Sequence, residues 1–177
     1  FGQFFAPHGP TEQFSKHILE APSGEFPLGT DEFGRDILSR MLYGARVSFE
    51  VGFISVLLAG SVGVVLGLIA GYMGGWVDNL LVLLMDVIWA FPAVLLAIVF
   101  VTTLGNSLQN AMIAIALVYM PTFMRVVRGS TLAVRQTTYV EAAQATGVAV
   151  PRMLAKHVFP NITAPLIVHA SLNFAAA

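Results

Sequence analysis

The chain has 177 residues, of which 56% are hydrophobic and 11% charged, whereas a soluble globular domain carries about a quarter charged residues. That excludes an ordinary soluble domain and indicates a membrane protein, with no nucleic-acid partner expected. The absence of cysteine rules out a disulfide framework, a thiolate metal site and a cysteine nucleophile. The formal net charge of -1 hides a segregation: residues 1–46 set Lys16, Arg35, Arg40 and Arg46 against six acids, while residues 125–156 set five basic residues against Glu141 alone.

The chain opens at Phe1 without an initiator Met or a basic leader, and it stops at Ala177 inside an apolar run, so both ends are expected to be cut. Within residues 1–46, Thr30 and Asp31 precede Ile37, Leu38, Met41 and Leu42. These apolar positions recur at helical spacing with Arg35, Asp36 and Arg40 interleaved, which predicts a short interfacial helix. Residues 47–71 are apolar or small except for Glu50. About 20 such residues at a rise of 1.5 Å cross a hydrocarbon core of roughly 30 Å, so this is the first span.

Residues 72–79 break the run with paired glycines, two aromatic residues and Asp78, which suits a short turn at the headgroup level. A second span covers 80–104. Gly105, Asn106, Ser107 and Gln109 form the next polar break, and a third span covers 108–127, its clean core shortened by Pro121, Arg125 and Arg128. Residues 129–157 are different in kind. Thr, Gln, Arg and Lys are interspersed with Ala, and no run approaches spanning length, so this is an extramembrane helical loop. A fourth span begins near 160 and remains partial at 177.

Strict alternation with the basic loop inside places 72–79 inside, and 105–109 and the acidic residues 1–46 outside. The fold class is an all-α polytopic transmembrane bundle with about three full spans and a partial fourth. The membrane domain runs over 47–177 and an extracytoplasmic segment over 1–46.

In the first span Gly63, Gly67 and Gly71 share one helix face at i+4 spacing, which lets another helix backbone approach, although glycine is also simply common in such helices. Asp86 lies several residues inside the second span. An ionised side chain there costs on the order of 2.5 to 3.5 kcal/mol on insertion scales, so it is either a pathway residue or a structural acid satisfied by a neighbouring helix. No second buried acid is expected beside it to support a proton relay. Pro92 and Pro121 remove backbone donors within spans two and three, which bends each helix toward a pathway lining or merely kinks it.

His8, His17, His157 and His169 lack metalloenzyme spacing, so no metal site is assigned. No phosphate-binding or dinucleotide loop occurs either, so no cofactor is expected and any energy source must sit on a partner.

The strongest local pattern lies in the basic loop. Thr138, Tyr139, Val140 and Glu141 have capping-box spacing, which predicts a helix starting near Tyr139. Ala142, Ala143 and Ala145 give a smooth surface, Gly147 ends or bends that helix, and Pro151 starts a second one. A solvated connector would have this form, and so would an ordered helix-turn-helix that docks a protein partner.

Glu141, Ala142, Ala143, then Gly147, then His157, Val158, Phe159 and Pro160 resemble, in full spacing, the EAA loop of permease subunits of ATP-binding-cassette importers. The general pattern has Ile and Leu where this chain has His157 and Phe159, and the ending Lys156 to Asn161 is similar to that of the peptide/nickel branch. Upstream, Gly29, Thr30, Asp31, Gly34, Arg35, Asp36, Ser39, Arg40 and Arg46 resemble the segment before the second span of that branch's C-type permeases. Asp86 with Phe91 and Pro92, followed by Gly105 and Asn110, is similar as well. Many members carry an Arg shortly before the acid, where this chain has only Leu81 to Met85, so the resemblance supplies no partner for Asp86.

The resemblance covers essentially the whole chain. It implies a type I importer permease fragment out of six spans, located in a bacterial or archaeal plasma (inner) membrane. It further implies a non-catalytic subunit paired with a homologous permease, two cytoplasmic ATPase subunits and an extracytoplasmic substrate-binding protein, with Glu141 to about Lys156 as coupling helices. Substrates of that branch are dipeptides, oligopeptides or nickel. A secondary transporter or channel would instead show inverted repeats or several intramembrane charges, and a membrane enzyme would show clustered His, Asp or Glu; neither pattern appears.

Overall fold

The computed structural model describes residues 5–176, so residues 1–4 of the expected outer segment and residue 177 of the expected fourth span lie outside the described residues. Among the described residues seven α-helices follow one another: α1 (Ile37–Met73), α2 (Gly75–Trp89), α3 (Ala93–Leu104), α4 (Leu108–Arg135), α5 (Thr138–Ala145), α6 (Val150–Met153) and α7 (Phe159–Ala176), with a π-helical turn at Leu154–Val158 joining the last two. Among the described residues there is no strand, only an isolated antiparallel bridge between Thr30 and Asp36. α1 and α4 are each long and apolar enough to cross a membrane, and α2 with α3 makes a third such pair, bent by 86°.

Three boundaries differ from the expectation. The interfacial helix and the first span are one helix of 37 residues. Asp36 starts it by accepting the Ser39 amide at 3.0 Å and the Ser39 hydroxyl at 2.5 Å, and nothing between Ile37 and Val47 except Gly44 opposes propagation. The second span begins earlier, at Gly75, after Gly74 and Gly75 turn the chain with φ of 66° and 57°. It then breaks between Trp89 and Ala93, because Pro92 has no amide hydrogen to continue the ladder and sits instead as the N-cap of α3. The third helix runs through Pro121 and on to Arg135, eight residues past the expected 127, because α4 stays packed along its length.

The chain divides into two compact units, Phe1–Val51 and Gly52–Ala177. In the second unit α4 is the central helix. Its Met120 and Met124 pack with Ala70 of α1 and Met85 of α2, while Ala116 and Phe123 pack with Ala59 of α1 and with Leu166 and Ala170 of α7. Gly63, Gly67 and Gly71 let α1 lie directly on α4. A Cβ added at these three positions would stand 2.9, 2.6 and 2.7 Å from the carbonyl oxygens of Met120, Met124 and Arg128. Both series advance by four residues, so one row of each helix is in register, the close approach that small residues permit in membranes. Ser55 adds a buried hydrogen bond to the Met112 carbonyl at 3.1 Å.

In the first unit the core is Phe26, fully buried and ringed by His8, Phe14 and His17 at centroid distances of 5.2, 5.2 and 5.4 Å.

Candidate functional site

The basic loop folds as two short helices around a glycine. α5 begins at Thr138 with Thr137 as its N-cap, and the expected capping box does not form: the Thr137 hydroxyl donates back to the Val134 carbonyl at 2.6 Å. Glu141 sits in the first turn of α5, where a carboxylate suits the helix dipole. Its side chain is exposed, as are Ala142 and Ala145. Gly147 has φ of 78°, and a Cβ added there would meet nothing within 4 Å. A left-handed residue facing open space makes the turn into α6, whose second residue is Pro151.

The opposite side of this hairpin is its core. Val140, Met153 and Val158 are fully buried and pack with Ala143, Val148, Val134 of α4 and Leu68 and Tyr72 of α1. Gln144 donates to the Tyr72 hydroxyl at 3.2 Å, and Arg135 stacks over the Tyr72 ring at 5.7 Å. The loop is therefore a rigid knob on the ends of α1 and α4, with a small-residue face turned outward.

His157 and Pro160 act through the backbone. Pro160 lacks the amide hydrogen that would bond the Lys156 carbonyl. Just before it the ladder widens to the π form, with the Phe159 amide reaching Leu154. The His157 carbonyl accepts the Asn161 side-chain amide at 2.8 Å and the Tyr139 hydroxyl at 3.3 Å, which ties the turn to α5. α6, the π turn and α7 follow one another without a break.

The upstream motif builds the first unit. Gly29 and Gly34 have φ of 76° and 69°, and a Cβ at either would collide with the carbonyls of Glu20 and Phe14 respectively. The Thr30 hydroxyl accepts the Glu20 amide at 2.9 Å and donates to the His17 carbonyl. Asp31 accepts the amides of Phe33 and Arg35 at 2.9 and 3.0 Å, pairs with Arg35 Nε at 2.8 Å and also binds Arg40. Burial pushes its carboxyl up, yet the Arg35 and Phe33 amides and the Arg35 guanidinium hold it down at about 2. Asp36 likewise lies below the usual carboxylate range: burial raises it, and the Ser39 hydroxyl and amide outweigh that. Arg46 lies exposed on α1. These side chains turn toward their own loop and hold its shape.

Asp86 has a partner in Arg125 of α4, at 2.5 Å from Nη2 to Oδ1. The guanidinium also lies over the Trp89 ring, 3.8 Å from its centroid. A second bridge, Asp78 to Arg128, is bidentate at 2.5 and 2.6 Å. Neither arginine stood out as a partner in the sequence. The available signal was that an acid inside a span requires a cation on a neighbouring helix, and Arg125 and Arg128 were the bases closing the third span. Pro92 stands at the elbow between α2 and α3, six residues past Asp86.

An apolar groove of about 600 Å³ lies between α1 and α7 over Phe123. Among the described residues its polar side chains are Ser61 and Ser171, whose hydroxyls bond their own helices' Leu58 and Ile167 carbonyls. Among the described residues no grouping of His, Asp or Glu could hold a metal ion.

The family described as "Binding-protein-dependent transport system inner membrane component" matches residues 63–177. The chain is similar to the dipeptide transport system permease protein DppC of Alkalihalophilus pseudofirmus, 49% identical over 159 residues covering 90% of this chain and 52% of the relative. It is also similar to the glutathione transport system permease protein GsiD of Pectobacterium atrosepticum, 39% identical over 98% of this chain and 58% of the relative. A third relative is the di/tripeptide transport system permease protein DppC of Pseudomonas aeruginosa, 40% identical over 100% of this chain and 60% of the relative. The chain thus spans between half and three fifths of the length of these relatives. With an all-α membrane fold and a match over most of its length, the chain belongs to the family of binding-protein-dependent transport system inner membrane components.

Proposed function

We propose that this chain is a translocation subunit of a peptide importer driven by a separate ATPase. It would provide a wall of the pathway through α1 to α4 and a lever through the α5–α6 knob. The observation that carries this reading is the knob itself: Glu141, Ala142, Ala145 and Gly147 form an exposed face, while Val140, Met153 and Val158 anchor it to α1 and α4. A merely solvated connector has no need for a buried anchor. The shape suits docking into a groove on an ATPase subunit, with Glu141, Ala142, Ala143, Gly147, His157 and Pro160 as the coupling segment.

The relatives' names support peptides as the solute class, since they speak of dipeptide, di/tripeptide and glutathione transport. In this reading the partners are a homologous permease, two cytoplasmic ATPase subunits and an extracytoplasmic binding protein, the knob faces the cytoplasm, and no catalytic residue is required of the chain. Gly29, Thr30, Asp31, Gly34, Arg35 and Asp36 shape the outer segment, and Asp86 and Pro92 border the pathway.

The test is a reconstituted complex carrying Glu141→Ala or Gly147→Val. Uptake and peptide-stimulated ATP hydrolysis are expected to fall together, while the binding protein alone holds its peptide as before. Coupled ATP hydrolysis at the wild-type rate in both variants would remove the lever.

A further inference from the structure

Two carboxylate–guanidinium pairs join α2 to α4, and they are built differently. In the Asp78–Arg128 pair both carboxylate oxygens are engaged and the Asp78 side chain is 12% exposed. Asp86 and Arg125 share one hydrogen bond and remain 49% and 38% exposed. Arg125 has five N–H donors in a planar fork, so most of them are open. What fixes the guanidinium is the Trp89 ring beneath it, which holds the plane in place independently of Asp86.

The surroundings say what this open pair faces. It lies within the membrane-spanning helices, where a half-exposed charge pair turned to hydrocarbon is strongly unfavourable, so it must face water or protein. Beside it is the 86° elbow between α2 and α3. Irregular backbone at membrane depth is found only where protein covers it or where it lines a water-filled cavity. Ion pair, ring and elbow lie together among exposed apolar side chains such as Leu83 and Val87, and the charge pair gives this place a polarity that the groove over Phe123 lacks.

We propose that Asp86, Trp89 and Arg125 form a carboxylate-binding waypoint in the translocation pathway. Arg125, kept flat on Trp89, exchanges its single bond to Asp86 for a bidentate contact with the carboxylate of a passing peptide. Asp86 is then free for the peptide's ammonium group. A planar fork matches a carboxylate, and a partner held by one bond is released more readily than one held by two. This inference rests on the peptide-importer reading for the identity of the solute, and on geometry alone for a cation facing water.

The absence of cysteine makes a single-thiol test clean within this chain. Leu83 is 59% exposed and one helical turn from Asp86. In the full complex in proteoliposomes, the Leu83→Cys thiol is expected to react with water-soluble thiosulfonates, the anionic reagent being preferred over the cationic one. Adding Arg125→Gln is expected to lower that preference about tenfold, the scale of one charge-assisted contact. With the binding protein and ATP present, alanyl-alanine should slow the labelling. Its uptake should drop about tenfold in Arg125→Gln, and Arg125→Lys, which keeps the charge but not the planar fork, should fall between that variant and the wild type. The double variant Asp86→Asn/Arg125→Gln leaves no unpaired charge, so its uptake loss cannot be put down to failed folding.

No labelling in any nucleotide state would place the pair against protein and overturn the proposal. An unchanged reagent preference, or wild-type uptake in both the single and the double variant, overturns it as well. A wild-type complex that hydrolyses ATP without importing the dipeptide sinks the importer reading, while the reagent preference still decides whether a cation faces water here.

Discussion

The carbonyl oxygen of Met124 lies 2.6 Å from where a methyl group on Gly67 would stand, and Val127 Cβ lies 2.8 Å from it. Backbone meets backbone there, so neither side can yield by turning a side chain. Gly67→Ala is expected to cost about 1–3 kcal/mol through overpacking, and Gly67→Leu to prevent assembly. Gly129 on α4 has nothing within 4 Å, so Gly129→Ala should be neutral or stabilise by about 0.5–1 kcal/mol through helix propensity. Thermal unfolding of the detergent-purified complex separates the two cases, and equal midpoints for Gly67→Ala and Gly129→Ala would refute the close packing.

Asp78 and Arg128 make a different kind of joint. Removing one partner of a buried pair typically costs 3–5 kcal/mol because the other is left charged and unpaired. Arg128 keeps a third of its side chain exposed, which places Asp78→Asn at the lower end, about 3 kcal/mol. The double variant Asp78→Asn/Arg128→Gln should recover part of that loss. A double-mutant cycle on thermal stability measures the coupling, and simple additivity would mean that the bridge is ornamental.

These two joints show which contacts the sequence discloses. The glycine face was legible because 63, 67 and 71 repeat on one helix, and a repeat is local information. The arginine partners were not, since Arg125 is 39 residues from Asp86 and Arg128 is 50 from Asp78, and pairing at that range is fixed by helix packing. Pro92 signalled a break but not its 86° size, which depends on α3 packing against α4. The interfacial helix and the first span were expected as two elements, whereas α1 runs through both, because a helix continues when nothing breaks it. The capping box at Thr138 failed because Thr137 takes the cap position and turns its hydroxyl back to Val134.

Acid should loosen the loop over residues 29–36 before the spans respond. The Asp31 carboxyl titrates at about 2 in the folded chain, below the ordinary value of about 3.9. A depressed carboxylate stabilises the fold fully above its unfolded value, and that contribution is lost as pH falls toward the folded value. Amide exchange at Phe33 and Arg35, which donate to Asp31, is therefore expected to be slow at pH 5. It should speed up between about pH 4 and 2, beyond the change intrinsic to free peptides. In Asp31→Asn these amides should exchange fast at pH 5 already. A flat protection profile in the wild-type chain across that interval would count against the capped loop.

In the proposed lever, the widened turn ahead of Pro160 is where force would leave the knob. Pro160 cannot bond the Lys156 carbonyl, and the Phe159 amide reaches back to Leu154 instead of the next carbonyl along. Pro160→Ala restores the missing donor, so the five-residue turn is expected to relax to ordinary α-helix. Dropping one residue from a helical turn rotates everything before it by about 100° relative to everything after. Helix propensity favours that change by up to about 3 kcal/mol, and the hydrogen bonds from Tyr139 and Asn161 to the His157 carbonyl oppose it. The variant should therefore be at least as heat-stable as the wild type while its peptide-stimulated ATP hydrolysis falls, because Arg152 and its exposed neighbours no longer face as the partner requires. Adding Tyr139→Phe removes one opposing bond and should deepen the loss of coupling without lowering stability. Coupled activity that survives in both variants would show that the knob transmits force without regard to its rotation about α7, leaving the π turn as local relief around the proline.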